Sequence, residues 1–431
     1  MTAPAEDLLT SLDGRAIATS QLSSVLDALD GFDSSSRVVS VEIASEVLQP
    51  GSHSGVLRLS PEGGGAPRSV FLKKITATHA PMAQRPWHDR RKTLAYARTE
   101  SRFYQEFAPE LARRGVRLPK LGLSDNRLDT VLGDAAVHDA AGDEPGSEAQ
   151  LAAGALLFLE CAEGLVQASP LDEAQACEAL RAVAGLHAAA WEDEPMLRRA
   201  SERLQRHGGV YALEIRSPVE VTKIKPNWEA FAAEFRSAEP ELFERPGVMA
   251  LGERLERWTR FASERVSADP TERFATLVHG DFKAMNVMLP DDGGAASATT
   301  TGPLLIDFAS TGVGLGMSDV AMLLAHSVGP ATLADGGQER LIDTYLAALE
   351  EKGVTGYDRT TALRDFHVAT VDYARFVVSR FWSGASASAF AKRAANPNVC
   401  LPNRDVEAAL RFVERIDASL EVLDGGGGTC C

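Results

Sequence analysis

Apolar and polar positions change their spacing twice along the chain. Over residues 1–36, Leu8, Leu9 and Leu12, then Leu22, Val25, Leu26 and Leu29, recur at helical spacing, so this stretch predicts an amphipathic helical segment. From residue 37 the runs shorten and fill with β-branched residues: VVSVEIASEVL, SGVLRLS and SVFLKKI, separated by QPGSHS and PEGGGAP. Turn-rich breaks between such runs predict three antiparallel strands. A helix is expected from about Lys92 to Arg114. Two strand candidates follow near Pro119–Leu123 and Asp129–Leu132, then a polar insertion, and then ALLFLECAEG.

Beyond Gly164 the spacing turns helical. QACEALRAVAGLHAAAW repeats apolar residues at i, i+3, i+4 and i+7, and similar stretches lie at 227–239, 250–267, 339–351, 361–382 and 404–423. Only NVMLP and PLLIDF break this half as strands, with DDGGAASATTTG between them, which predicts one hairpin inside a helical region. The expected layout is α+β, with a small antiparallel sheet and one helix followed by a larger helical part. Its boundaries are an N-terminal helical extension at 1–36, a sheet-bearing lobe at 37–163 and a helical lobe at 164–424. A Gly/Cys tail occupies 425–431. With 431 residues, two cores are expected rather than one.

Composition narrows the function classes. Forty-four basic against 60 acidic residues leave a formal net charge of −16, which argues against non-specific binding to nucleic acid or to an anionic membrane. The five cysteines form no CxxC and are odd in number, so neither a disulfide framework nor a zinc site is suggested. The closing GGGGTCC has two cysteines as a double-cysteine prenylation signal does, but it lacks the CaaX form and a preceding polybasic stretch; it is read as a flexible tail. The start carries acids early and no basic-then-apolar leader, and the longest apolar run is too short to span a bilayer, so a cytoplasmic protein is expected.

The chemistry concentrates on VHGDFKAMNVML and PLLIDF. The edges of the predicted hairpin bring together Asp281, Asn286 and Asp307. Carboxylate and amide oxygens suit Mg²⁺, a hard cation that takes few protein ligands and otherwise binds water and phosphate. A D-x-x-x-x-N loop followed by a carboxylate on the next strand is how kinases place a base and two metal ligands for phosphoryl transfer. Those residues, His279-Gly280-Asp281-Phe282-Lys283-Ala284-Met285-Asn286 followed by Ile306-Asp307-Phe308, resemble the catalytic core of the aminoglycoside phosphotransferase and choline kinase-like family. Within it, the sequence is most similar to the CHK kinase-like (ecdysteroid kinase-like) branch. The resemblance runs over about residues 38–385 and implies the two-lobed protein-kinase-like fold with ATP and Mg²⁺ as cofactors.

It also implies roles. Asp281 is the expected base, with Asn286 and Asp307 as metal ligands. From its position two residues after that base, and not from the resemblance, Lys283 is expected to neutralise charge on the transferring phosphoryl group, and His279 to brace the loop. Asp319 in GMSDVAMLL would buttress that loop by accepting its backbone hydrogen bonds. Lys73 on the third strand, preferred over Lys74, would hold the nucleotide phosphates and pair with Glu100 in ARTESRFY. The turn QPGSHSG, with Ser52, His53 and Ser54, would lie over the phosphates, although the same residues suit an ordinary hairpin turn. Backbone near Glu160 and Ala162, in a hinge at 158–163, would meet adenine. Gly280 stands where protein kinases carry arginine, and the Asp307-to-Asp319 segment is short for a regulated activation segment. A small-molecule hydroxyl is therefore the expected acceptor. Trp228, Phe231, Phe235, Phe376, Phe381 and Trp382 are candidates for an apolar wall, although such helical stripes more often pack a core. The alternatives are a catalytically inactive kinase-fold scaffold or a protein kinase.

Overall fold

The computed structural model describes residues 8–30, 37–49, 51–132, 152–213, 218–291 and 302–425. The polar insertion after Leu132, nearly all of the loop between the hairpin strands, and the cysteine tail lie outside the described residues. The chain divides into two compact units: residues 1–114 with 118–164, and residues 115–117 with 165–431.

The first unit is built on a five-stranded antiparallel sheet. Strands β1 (Val38–Leu48), β2 (His53–Pro61), β3 (Arg68–Thr76), β4 (Leu121–Asn126) and β5 (Gly154–Glu160) lie in the order β1-β2-β3-β5-β4. The expected three-strand meander is present, and period-2 alternation sends Leu57, Leu59, Val70, Leu72, Leu156 and Phe158 to one face. The N-terminal segment covers that face. It is helical only over α1 (Thr19–Asp30), while residues 8–18 run through turns and an isolated bridge from Thr10 to Ala16, so the expected continuous helix is shorter than its pattern.

Small residues make room for this cover. A Cβ on Gly55 would meet Leu8 Cδ2 at 2.8 Å, one on Gly154 would meet Leu12 Cδ2 at 2.9 Å, and one on Gly122 would meet Val25 Cγ1 at 2.8 Å. The leucine periodicity thus reports contact with a sheet rather than a helix stripe alone. Helix α2 (Trp87–Arg102) packs on the opposite face through Leu94, Ala95 and Ala97 and continues through a π-turn at Phe103–Phe107. Residues Asp129–Leu132, expected as a strand, form a single helical turn whose Asp129 pairs with buried Arg102 at 2.6 Å. That ion pair and the turn-favouring Asp at its start override the short apolar run.

The second unit is helical, with α3 (Glu173–Ala189), α4 (Ile224–Phe235), α5 (Leu251–Val266), α6 (Met317–Ser327), α7 (Gly337–Glu351), α8 (Arg359–Phe376) and α9 (Val406–Gly425) as its long helices. Asp172 caps α3 by accepting from Gln175, which returns the contact as a capping box. More strands interrupt this half than the two expected. Besides β9 (Val287–Pro290) and β10 (Leu304–Leu305), the described residues hold β6 (Leu165–Val166), β7 (Gln205–His207), β8 (Ala275–Val278) and β11 (Gly312–Leu315). They form two small sheets, β10-β9-β6 and β7-β11-β8. Each added strand has two to four residues, too short for alternation to be read from sequence. Among the described residues, no helix is long and apolar enough to cross a membrane.

Candidate active site

In the first unit, alternation along β3 separates its two adjacent lysines. Lys73 Nζ donates to Glu100 Oε2 at 2.6 Å, and the Glu100 side chain is only 2 % exposed, so this is not a solvated helix charge. Lys74 points to the covered face and donates to Thr10 Oγ1 at 2.7 Å. The hairpin between β1 and β2 turns tightly at Gln49–Ser52: the Gln49 amide donates to Ser52 O at 2.8 Å. His53 and Ser54 are already in the β2 ladder, opposite Leu48 and Val47 on one side and Lys74 and Lys73 on the other. His53 is buried, with Nε2 at 2.7 Å from Glu46 Oε1. At the end of β5, Glu160 exchanges two contacts with Lys120: its amide donates to Lys120 O at 2.9 Å and its Oε2 accepts from the Lys120 amide at 3.1 Å. Ala162 follows, half-buried.

In the second unit, β8 delivers His279, Gly280 and Asp281 into a tight loop. Asp319, in the first turn of α6 and 1 % exposed, receives the His279 amide at 2.7 Å on Oδ2 and the Gly280 amide at 3.0 Å on Oδ1. A buried carboxylate satisfied by two backbone donors holds loop shape rather than reacting. Its Oδ2 also meets Nε2 of His187 at 3.1 Å, and His187 Nδ1 meets the Tyr345 hydroxyl at 2.8 Å. Sequence reasoning left His187 out. Its signal was a histidine on the apolar face of α3, in GLHAAAW.

Gly280 has φ 79°, the left-handed region, and an added Cβ would stand 2.1 Å from Ser310 O. His279 Nε2 contacts Ile306 O at 2.9 Å, so its ring ties this loop to the approach of Asp307.

Of the three oxygen-bearing residues picked from sequence, Asp281 and Asn286 touch, and Asp307 follows on the strand paired beside them. Asn286 Nδ2 donates to the backbone carbonyl of Asp281 at 2.7 Å and to its Oδ2 at 3.1 Å, while Lys283 Nζ donates to the same Oδ2 at 2.8 Å. Among the described residues, Oδ1 of Asp281 is then the carboxylate oxygen available for a further hydrogen bond. The β9–β10 pairing sets Leu305 opposite Val287, and the Ile306 amide donates to Asn286 O at 3.0 Å, which seats Asp307 beside Asn286. Asp307 itself adopts φ 66°, ψ 65°, a left-handed conformation that costs an ordinary residue about 1–2 kcal/mol and Asp less. This donor set fits Mg²⁺: with the Asn286 nitrogen committed to Asp281, its amide oxygen is the group left to offer a cation, and a hard cation needs only one or two such protein oxygens.

Residues 83–363 match the model of the phosphotransferase enzyme family. The chain belongs to that family. No curated protein matches this phosphotransferase. Among solved structures, it is similar to a microcompartment-associated aminopropanol kinase, at 11 % identity over 94 % of this chain and 98 % of that one, with a TM-score of 0.42. It is similar to a choline kinase from Cryptosporidium parvum at 11 % identity, over 95 % and 97 % of the two chains, with a TM-score of 0.41. An aminoglycoside phosphotransferase from Streptomyces rimosus aligns at 17 % identity over 82 % and 98 %, with a TM-score of 0.35.

The aromatic residues considered for an acceptor wall are largely core of the phosphotransferase's second unit. Phe231 stacks on Trp382 with centroids 3.8 Å apart, Trp228 lies against both, and Trp382 Nε1 donates to Pro402 O at 2.9 Å. Trp228, Phe231, Phe235, Phe376 and Trp382 are all buried, and Phe381 is half-buried against Phe376. Such stacking serves packing.

Proposed function

We propose that this protein is a Mg²⁺- and ATP-dependent small-molecule kinase that moves the γ-phosphoryl group of ATP onto a hydroxyl. The observation that carries the reading is the state of Asp281. One carboxylate oxygen is held by Lys283 and Asn286, the other is available, and the loop around it is fixed by Asp319. In the proposed step, an acceptor hydroxyl donates to Asp281 Oδ1 and its oxygen forms the new bond to the γ-phosphorus. The bond from that phosphorus to the β–γ bridging oxygen breaks, ADP leaves, and the proton passes to Asp281. Lys283 holds the base in place and sets a positive charge beside the transferring group. Asn286 and Asp307 would hold Mg²⁺, which when bound neutralises charge on the phosphates.

In the first unit, Lys73 braced by Glu100 is assigned to the nucleotide phosphates, the turn Ser52-His53-Ser54 to their backbone cover, and backbone at Glu160 and Ala162 to adenine. The short segment between Asp307 and Asp319 supports a small-molecule acceptor over a protein. It is spent on a 3₁₀ turn and on β11, whose residues are buried between β7 and β8. That leaves no loop to serve as an activation segment. The HGDFKAMN and IDF motifs support our assignment to the CHK kinase-like branch, and a cytoplasmic location is part of the same proposal.

The test is phosphorylation of a metabolite extract with γ-labelled ATP and Mg²⁺, comparing wild type with Asp281→Asn. A labelled small molecule made only by wild type is expected, and mass analysis then identifies the acceptor. Equal labelling by the variant would remove Asp281 from the reaction. A folded, ATP-binding wild type that labels nothing in any extract would favour the scaffold reading.

A further inference from the structure

Three backbone segments approach closely in the second unit, with glycines at the contacts. A Cβ on Gly280 would lie 2.6 Å from Gly209 N, one on Gly312 would lie 2.3 Å from Gln205 O, and one on Gly208 would lie 2.9 Å from Gly312 N. The segment Gly208–Leu213, which leaves β7, runs through this contact as a strap. Its Gly208 amide donates to Val313 O at 2.8 Å, its Gly209 amide to Ser310 O at 3.1 Å and its Val210 amide to Gly280 O at 2.8 Å. Gly280 precedes the proposed base Asp281, and Ser310 closes the turn that begins at Asp307. One strap therefore hydrogen-bonds both the loop of the base and the loop of the metal carboxylate.

Beyond Val210 the strap is pinned at three points. The Tyr211 carbonyl accepts from Arg375 Nη2 at 2.7 Å, the Tyr211 hydroxyl donates to Ser318 O at 3.1 Å, and the Leu213 amide donates to Ser263 Oγ at 3.2 Å. Arg375 is 1 % exposed and doubly bonded to Oδ1 of Asp372, one turn earlier on α8, through Nε at 2.9 Å and Nη2 at 2.8 Å. Among the described residues its Nη1 has no hydrogen-bond partner. Burying such a pair costs several kcal/mol per ion, and well-packed apolar residues commonly replace one at no loss of stability. What a guanidinium does here that leucine cannot is grip the carbonyl of a strap that has no ladder of its own.

We propose that Arg375, oriented by Asp372, is a positioning residue for phosphoryl transfer: by holding the Tyr211 carbonyl it sets the strap that spaces the Asp281 loop from the Asp307 loop. The inference rests on the kinase reading above, because the spacing matters only if both loops serve one reaction. Helix α8 thereby acquires a direct line to both loops.

The test uses the full chain and three readouts: the melting midpoint, binding of a non-hydrolysable ATP analogue without metal, and Mn²⁺ uptake in the presence of that analogue, followed by electron paramagnetic resonance. Arg375→Met is expected to weaken Mn²⁺ uptake by about tenfold, the usual range for losing a group that orients metal ligands. Metal-free analogue binding should stay at the wild-type level, and Arg375→Lys should recover part of the loss. A lower melting midpoint with unchanged Mn²⁺ uptake per folded protein would overturn the proposal. If Arg375→Met does not fold, Ser263→Ala, which releases the far end of the strap, must show the same metal-specific loss; wild-type uptake there overturns it. A wild-type protein that takes up no Mn²⁺ with the analogue would overturn the kinase reading and this inference together.

Discussion

Asn286 directs its side-chain nitrogen to both ends of Asp281, bonding the backbone carbonyl at 2.7 Å and carboxylate Oδ2 at 3.1 Å. Five residues apart, the two are locked into a ring that contains the 3₁₀ turn at Ala284–Asn286. In the proposed reaction the asparagine braces the base and, through its oxygen, would hold a cation. Asn286→Ala should therefore raise the half-saturating Mg²⁺ concentration by about tenfold or more, with turnover falling as well. Titrating activity against Mg²⁺ checks this. An unchanged Mg²⁺ requirement would remove Asn286 from the metal site.

The Lys73–Glu100 pair is asymmetric, with side chains 16 % and 2 % exposed. Removing the lysine takes this ion pair from a buried carboxylate. Lys73→Met should cost about 3 kcal/mol of stability, and adding Glu100→Gln should recover much of it. Urea unfolding of the two variants and the double variant measures the coupling. The double variant should still bind nucleotide more weakly than wild type. Wild-type nucleotide affinity in that variant would remove Lys73 from the phosphate site.

His326 lies buried at the end of α6, its Nδ1 3.0 Å from Ser327 Oγ, which in turn receives the Ala284 amide of the Asp281–Asn286 loop at 2.9 Å. Burial, reinforced by the positive charges of Lys283 and Arg404, lowers its pKa from 6.5 to about 3. Below pH 6.5 the unfolded chain binds a proton that the folded chain refuses, so stability is lost as pH falls from 6.5 toward 3. At pH 5 the loss from this group is about 2 kcal/mol. His326→Gln should flatten that part of the stability–pH curve. Parallel curves for the two proteins would show that another group sets the acid limit.

Leu8 is fully buried against the sheet of the first unit, where Gly55 leaves room for it. Leu8→Ala should cost about 3 kcal/mol, as for other leucines cut from a core. Thermal unfolding of the full chain tests whether the segment before α1 is part of the fold. A change within a few tenths of a kcal/mol would show that it is dispensable.

The readable parts of the sequence were those in which a side-chain pattern repeats locally or a chemical type is rare for its setting. Alternation in SVFLKKI places Lys73 and Lys74 on opposite faces before any partner is known. Asp281, Asn286 and Asp307 stand out because apolar strands do not otherwise need them. The Asp129–Leu132 run misled because four residues fit a helical turn as well as a strand, and a distant arginine made the choice.

The three-strand meander, the hairpin and the oxygen-bearing residues at its edges were determined by the sequence itself, because strand and turn preferences act over neighbouring residues. Tertiary structure decided what those residues touch. It chose Glu100 for Lys73 and Thr10 for Lys74, turned the N-terminal leucines onto a glycine-lined sheet face, buried the candidate wall aromatics in a core, and drew Gly208–Leu213 across two loops. These outcomes depend on backbone groups and glycines meeting from far along the chain. A glycine looks the same in sequence whether it frees a turn or admits another backbone, so only the folded contacts distinguish the two.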